Sequence, residues 1–210
     1  MKLTWYGHAC FKLETAEGSV VFDPYSPGSV PGLTLPALEA DAVICSHGHG
    51  DHNYAAGVRL TGRAPGFAVR QLPCFHDDVQ GQKRGKNLIT SIDAEGLRFV
   101  HMGDIGHMLT REQLDWFGRV DVLMIPVGGY YTIDAAQAHE LSLAIGAGIA
   151  IPMHYRGPGF GYAEIATRDG YAALCTHAEY IDAGHIELPC KLRDGTTVLF
   201  KGPEVWQAGN

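Results

Sequence analysis

Four times along this chain of 210 residues an apolar run breaks into a Gly- or Pro-bent loop that carries His or Asp. The runs at 42–45, 67–72, 97–100 and 148–151 lead into the loops that hold residues 47–52, His76, Asp104 and His154. Short apolar stretches bounded by Gly and Pro read as strands, so a fold that buries them sets titratable side chains at strand tips. The densest tip is Ser46-His47-Gly48-His49-Gly50-Asp51-His52-Asn53, which places three imidazoles and one carboxylate within positions 47–52.

Imidazole nitrogen and carboxylate oxygen are ligands for zinc and for other first-row metals. In an extended loop His47 and His49 share a face, because side chains two apart point the same way, and both can grip one ion. Gly48 and Gly50 lack Cβ and let the backbone bend between them, which lets Asp51 and His52 reach a second ion beside the first. A chance cluster of surface histidines, or histidines satisfied by neighbouring carbonyls, is the rival reading. The spacing and the strand in front favour metal.

With 46% hydrophobic residues, positions 1–210 are expected to form one domain with a sizeable core. The net charge is -7 and the 16 Lys and Arg are scattered, so no nucleic-acid groove built on phosphate contacts is expected. The N-terminus lacks the apolar run of a secretory signal, and no stretch is apolar enough for a membrane span, which points to a soluble, cytoplasmic protein. Five cysteines, Cys10, Cys45, Cys74, Cys175 and Cys190, form no CxxC pair and are expected to be reduced and packed. The expected partner is a small-molecule substrate, and a homo-oligomer is allowed.

In chain order, strands are expected at 2–6, 10–14 and 19–22, the last ending in Asp23-Pro24, followed by an irregular loop at 26–37 and the strand at 42–45. A short helix capped by Asp51 or Asn53 should run to about residue 60. Beyond the strand at 67–72, a turn at 81–86 leads into a hairpin of 87–92 and 97–100. A helix at 110–117 opens on a capping box of Thr110 and Gln113. A strand at 122–125, a helix at 134–145, a strand at 148–151, a helix near 163–175 and strands near 178–182 and 196–201 complete the reading. Strands early, helices interleaved later and hairpins throughout make this an α/β (α+β) chain with two mixed sheets packed together and helices outside.

A pair of ions about 3.5–4 Å apart needs a shared group and further ligands. The strand-end residues His76, Asp104 and His154 are the supply, although each alone has another reading: Asp104 as a cap, His76 as a turn residue, His154 as a core histidine. Their order, His-x-His-x-Asp-His, then a lone His, Gly-Asp and a lone His, resembles the metallo-β-lactamase superfamily of hydrolases. Gly7-His8-Ala9-Cys10-Phe11, Phe22-Asp23-Pro24, Gly103-Asp104, Pro126-Val127-Gly128-Gly129-Tyr130-Tyr131-Thr132 and Pro152-Met153-His154-Tyr155 are similar to its ascorbate-phosphate-lactonase-like branch of small metal-dependent hydrolases, over residues 3 to about 158. The resemblance implies a four-layer αββα sandwich with two divalent ions, zinc first and manganese, iron or nickel as options. It implies His47, His49 and His76 on one ion, Asp51, His52 and His154 on the other, and Asp104 between them. The chain departs from the pattern in having Asp77 after His76 and Ile105 after Asp104, and keeps every ligand.

Two divalent ions bring about +4, while Asp51, Asp104 and a hydroxide bring about -3, which leaves an electrophilic centre suited to an anionic or carbonyl substrate. The expected chemistry is attack by a metal-held hydroxide, positioned by Asp51, on an ester, lactone, amide or phosphoester, with one ion stabilising the oxyanion. Asp23 is the candidate partner for the second nitrogen of a ligating histidine. His8 and His107 are candidates for proton transfer or substrate contact, Gly128 and Gly129 for backbone N–H groups near a ligand, and Arg156, with Lys83, Arg84 and Lys86, for an anionic group. His101, His139, His177 and His185 read as structural. An iron-dependent redox member of the same fold and a non-catalytic metal-binding protein are the alternatives.

Overall fold

The computed structural model describes residues 1–190, 192 and 194–203. The chain opens as a meander of β1 (Lys2–Trp5), β2 (Phe11–Thr15) and β3 (Gly18–Phe22), followed by β4 (Leu38–Ala40) and β5 (Ala42–Ile44). A 3₁₀ turn at Ala55–Gly57 precedes β6 (Val58–Leu60), β7 (Ala68–Phe75), β8 (Lys86–Ala94) and β9 (Leu97–His101). Then come α1 (Arg111–Asp115), β10 (Val122–Pro126), α2 (Ala135–Ile145), β11 (Ile149–Met153), α3 (Asp169–Ala172), β12 (Ala178–Ile181), β13 (His185–Glu187) and β14 (Thr196–Phe200).

The strands form a five-stranded sheet in the order β13-β1-β2-β3-β5, a seven-stranded sheet in the order β12-β14-β11-β10-β9-β8-β7, and a small ribbon of β4 and β6. One apolar core joins the two large sheets: Leu3, Trp5, Phe11, Leu13, Val20 and Phe22 pack with Ile89, Ile92, Phe99, Val100 and Met124. The central strands β10 and β11 are buried at every position, as parallel strands covered on both faces should be. Helix α2 packs against β10, burying Ala138, Leu141, Ser142 and Ile145, a spacing that forms one helical stripe. Asp134 and Gln137 cap its start, and Gly146, left-handed at φ 69°, ends it.

The outer face of the five-stranded sheet is covered differently. Val21 of β3 points away from Val20 and Phe22 into a second cluster with Cys10, Tyr25, Val30, Leu33, Leu38, Ala40 and Val58. Loop 26–37 and the β4–β6 ribbon form this layer, because the prolines and glycines of the loop exclude a helix. The helix expected from Asp51 or Asn53 to residue 60 is absent: the turn at Ala55–Gly57 has no side-chain cap, and β-branched Val58 then enters the ribbon beside Leu38. The helix expected over 163–175 shrinks to α3. Its first part is held as turns and irregular loop instead, since Arg156 N–H donates to the Ala166 carbonyl and Ala166 N–H to the Gly128 carbonyl. Strand β7 runs three residues past its expected end, through Pro73, which an edge strand tolerates.

Strand direction explains why the chemistry gathers at one edge. Strands β1 and β3 are each antiparallel to β2, and β5 is parallel to β3. Strands β7 and β9 are each antiparallel to β8, while β10 and β11 continue parallel to β9. The C-terminal ends of β1, β3 and β5 therefore share one edge of their sheet, and those of β7, β9 and β11 one edge of the other. His154 N–H donates to the His8 carbonyl at 3.1 Å across that joint edge. Among the described residues no helix is long and apolar enough to cross a membrane.

Candidate metal centre

Six of the strands that end at this edge deliver side chains to it. His8 follows β1, Asp23 follows β3, the loop from Ser46 to His52 follows β5, His76 follows β7, Asp104 follows β9 and His154 follows β11. His8, Asp23 and His154 adopt left-handed backbone at φ 51°, 43° and 52°, a conformation that costs a non-glycine residue roughly 1–3 kcal/mol and concentrates at functional sites.

Asp104 is the hub. Its Oδ2 lies 3.1 Å from His52 Nε2, 3.2 Å from His76 Nε2 and 3.0 Å from His154 Nε2. Two further groupings complete the centre: ligand atoms of His47, His49 and His76 lie within 4.8 Å of one another, and so do those of Asp51, His52, His154 and His8. All seven residues named as ligands from the sequence are thus brought together. Their separations fit cations, because two atoms each about 2.1 Å from one ion stand about 3.0–3.4 Å apart at right to tetrahedral angles. Hydrogen bonding alone leaves the centre unsatisfied. Three imidazoles crowd one oxygen of Asp104 while its buried Oδ1 has no partner, and buried His47 Nε2 and His52 Nε2 have no hydrogen bond.

Asp23 supports the cluster from behind. Its Oδ2 accepts from His52 Nδ1 at 2.8 Å and from the Ser46 hydroxyl at 2.6 Å, and its Oδ1 accepts from Ser46 N–H at 2.6 Å. His52 is thereby fixed with Nε2 facing Asp104, and Ser46 Oγ, 2.9 Å from His47 Nδ1, turns His47 likewise. Asp104 itself is set by Asn87, whose Oδ1 accepts from Asp104 N–H at 2.9 Å while its amide donates to the Met102 carbonyl. Sequence reading missed both Ser46 and Asn87. Ser46 sits just past β5 and Asn87 within β8, and such a buried polar residue declares itself once its partner is known. Asn87→Ala leaves a buried N–H unpaired and is expected to cost about 1–3 kcal/mol, read by urea unfolding, and to loosen cation binding together with stability.

Charge follows this wiring. Burial opposes ionisation of Asp104, yet His154 and His52 hold its carboxyl well below the ordinary value. Burial likewise works against Asp23, and His101, His52 and Ser46 outweigh it and lower its pKa. Burial also works against a charged His52, but Asp104 and Asp23 push it well above its usual value. His47, by contrast, drops to about 3 through burial and the neighbouring His52, and His8 to about 4 through burial and His154.

The other candidates fall into place around this centre. His8 Nε2 sits 3.2 Å from Asp51 Oδ2. His107 is held as a bracket, accepting from Phe75 N–H and bonded to the Met108 carbonyl. Gly129 N–H is spent on the Ile133 carbonyl, while Gly128 touches the backbone of His154 so closely that a Cβ would strike its carbonyl. Gly128 therefore packs closely behind His154. Arg156 braces its own loop through Nε to the Ile165 carbonyl. His101 is structural, tying Ala9 to Gly103 through its two ring nitrogens. The unusual Asp77 has a local purpose: its carboxylate accepts from N–H groups of Val79, Gly81, Lys83 and Arg84, folding the loop behind His76. Arg84 then reaches the Tyr130 carbonyl and stacks over Tyr131. Tyr162, whose hydroxyl lies 2.6 Å from the Ser29 carbonyl and 3.2 Å from Asp51 Oδ2, was not foreseen, since nothing in its irregular loop marks it.

Residues 2–154 match the family model described as a beta-lactamase superfamily domain. A UPF0173 metal-dependent hydrolase of Archaeoglobus fulgidus is 30% identical, the alignment covering 74% of this chain and 83% of that one. A crystal structure from Thermotoga maritima, provisionally described as a Zn-dependent hydrolase of the metallo-beta-lactamase superfamily, is 32% identical with a TM-score of 0.76, covering 95% of this chain and 97% of its own. The metallo-beta-lactamase fold protein YhfI of Bacillus subtilis shares the fold at 14% identity, with a TM-score of 0.62 and coverage of 98% and 99%. The strand-edge cluster of His and Asp and the paired mixed sheets therefore have their explanation in descent: this chain belongs to the metallo-beta-lactamase superfamily, among its UPF0173 metal-dependent hydrolases.

Proposed function

We infer that the chain hydrolyses a small anionic ester, lactone, amide or phosphoester at a pair of divalent cations, zinc being the first choice. The observation that carries this reading is Asp104 Oδ2, placed 3.0–3.2 Å from imidazoles of both groupings, where one carboxylate could serve two ions. His47, His49 and His76 would hold one, and Asp51, His52 and His154 the other. When bound, such ions supply Lewis acidity and lower the pKa of water from 15.7 to about 7, so that a nucleophile exists at neutral pH. The chain's own residues do the rest. Asp51, 3.2 Å from the Tyr162 hydroxyl, can orient the attacking water, while Asp23 and Ser46 hold His52 and His47 in the tautomers that present Nε2.

Two measurements test this. Purified chain stripped with a chelator should lose hydrolysis across a panel of lactones, phosphodiesters, thioesters and β-lactams, and regain it on one member when Zn²⁺ or Mn²⁺ is restored. Turnover unaffected by stripping would refute it, and a single tightly held iron with no hydrolysis would favour the redox alternative. The second measurement is proton release. His52 keeps its proton through neutral pH in the cation-free protein because its pKa is raised, so a cation must displace that proton. Calorimetry at pH 7 in buffers of different ionisation enthalpy should show net proton release, and cation affinity should rise with pH. Proton uptake would contradict the wiring around His52.

A further inference from the structure

We propose that His8 is a ligand of the second cation, which makes that site a three-imidazole nest matching the first. This rests on the paired-cation reading above and adds a residue to it. The first nest has ring centroids 4.6 Å apart for His47–His49, 4.7 Å for His47–His76 and 5.2 Å for His49–His76. His8, His52 and His154 form a second, less regular trio, with 4.0 Å for His8–His154, 5.0 Å for His8–His52 and 5.7 Å for His52–His154. Two imidazoles bound to one ion at about 2.0–2.1 Å have centroids roughly 4.5–5.2 Å apart between right and tetrahedral angles. The first trio lies within or at the edge of that range; in the second, His8–His52 lies inside it, His8–His154 falls below it and His52–His154 above it.

Other features converge on the same reading. Ligand atoms of His8, Asp51, His52 and His154 all lie within 4.8 Å of one another. His8 Nε2 stands 3.2 Å from Asp51 Oδ2, the same edge length that separates Asp104 from its imidazoles. The ring is buried, and its Nδ1 has no hydrogen bond, as is also true of His76 and His154. The backbone that holds it is left-handed and is pinned from both sides, since the His8 carbonyl accepts from Trp5 Nε1 at 3.0 Å and from His154 N–H at 3.1 Å. The consequence is an uneven pair. His8, Asp51, His52, His154 and Asp104 would crowd the second ion, whereas the first has only His47, His49, His76 and Asp104. The exchangeable position, and with it the substrate's carbonyl or phosphoryl oxygen, falls on the first ion.

Co²⁺ is the probe. The chelator-stripped full chain is titrated with Co²⁺ and followed by visible absorption, and the loaded protein is examined by NMR for hyperfine-shifted exchangeable N–H signals, which report coordinated imidazoles. Wild type should take two ions. In His8→Gln, whose amide can still donate to Asp51, the second ion should bind at least about 100-fold more weakly, beyond the usual range for losing an orienting partner alone. The first ion should bind as before, and one shifted N–H signal should vanish. His8→Asn, which tolerates left-handed backbone, should behave alike and guards against misfolding of the Gln variant. If either folded variant binds two ions with wild-type affinity and a full set of signals, His8 merely hydrogen-bonds Asp51 and the assignment falls. If wild type itself takes one ion, the paired-cation reading falls and takes this assignment with it.

Discussion

Asp104→Ala should abolish loading of the cation pair and cut kcat/KM by roughly a thousandfold or more, the scale of losing a preorganised electrostatic contact in a dry site. The reason is geometric. Among the described residues Asp104 is the one carboxylate within 3.2 Å of imidazoles from both groupings, so its removal should weaken both sites together instead of sparing one. Its loss also removes the foremost attraction that raises the His52 pKa, so the proton released on cation binding at pH 7 should diminish. Metal content after dialysis, together with the calorimetric proton count, checks both. An Asp104→Ala protein that retains two tightly held ions would show that Asp104 is not shared.

Asp23→Ala should produce the largest loss of stability. The change strands three buried donors, Ser46 N–H, the Ser46 hydroxyl and His52 Nδ1, and removes the charge partner of a buried, protonated His52. Breaking one side of such a pair costs about 3–5 kcal/mol, which for a chain of this size lowers Tm by roughly 10 °C. Cation affinity should fall about 10–100-fold as well, because His52 loses its orienting partner. The pH dependence has a definite sign. Asp23 has a lowered pKa in the folded protein, so its stabilisation is present above the ordinary carboxylate value of about 4 and is lost as pH falls through the lowered one. The stability gap between wild type and Asp23→Ala, measured by urea unfolding, should therefore be full near pH 6 and close on acidification below about 4. A gap that widened in acid would mean that the ionised carboxylate is not what stabilises this edge.

Much of this centre could be read from residue order because ligands at strand tips leave two local traces, an apolar run and a bent loop that breaks it. His47, His49, Asp51 and His52 carry both traces within one loop, and His76, Asp104 and His154 carry them singly. Strands with clear bounds, such as β1 to β3 and β8 to β11, were legible for the same reason, and so was the capping box of α1. What escaped depends on partners distant in the chain. Asn87 acts on Asp104 from the neighbouring strand, and Tyr162 approaches Asp51 from 111 positions away. His8 was legible as a candidate for proton transfer or substrate contact, while the strand direction that brings it beside His154 is revealed by no short window. The segments misjudged as helices, 51–60 and 163–175, have backbone groups taken up by other loops: Tyr54 N–H donates to the Pro24 carbonyl, and Ala166 N–H to that of Gly128. Tertiary hydrogen bonds there override local preference.

Whether Asp104 would sit between two cations can be seen in a crystal structure of the Zn²⁺-reconstituted chain with anomalous diffraction at the zinc edge. The account predicts two anomalous peaks about 3.5–4 Å apart, one among His47, His49 and His76, the other among Asp51, His52 and His154, with Asp104 reaching both. A single peak, or a second ion bound away from Asp104, would contradict it.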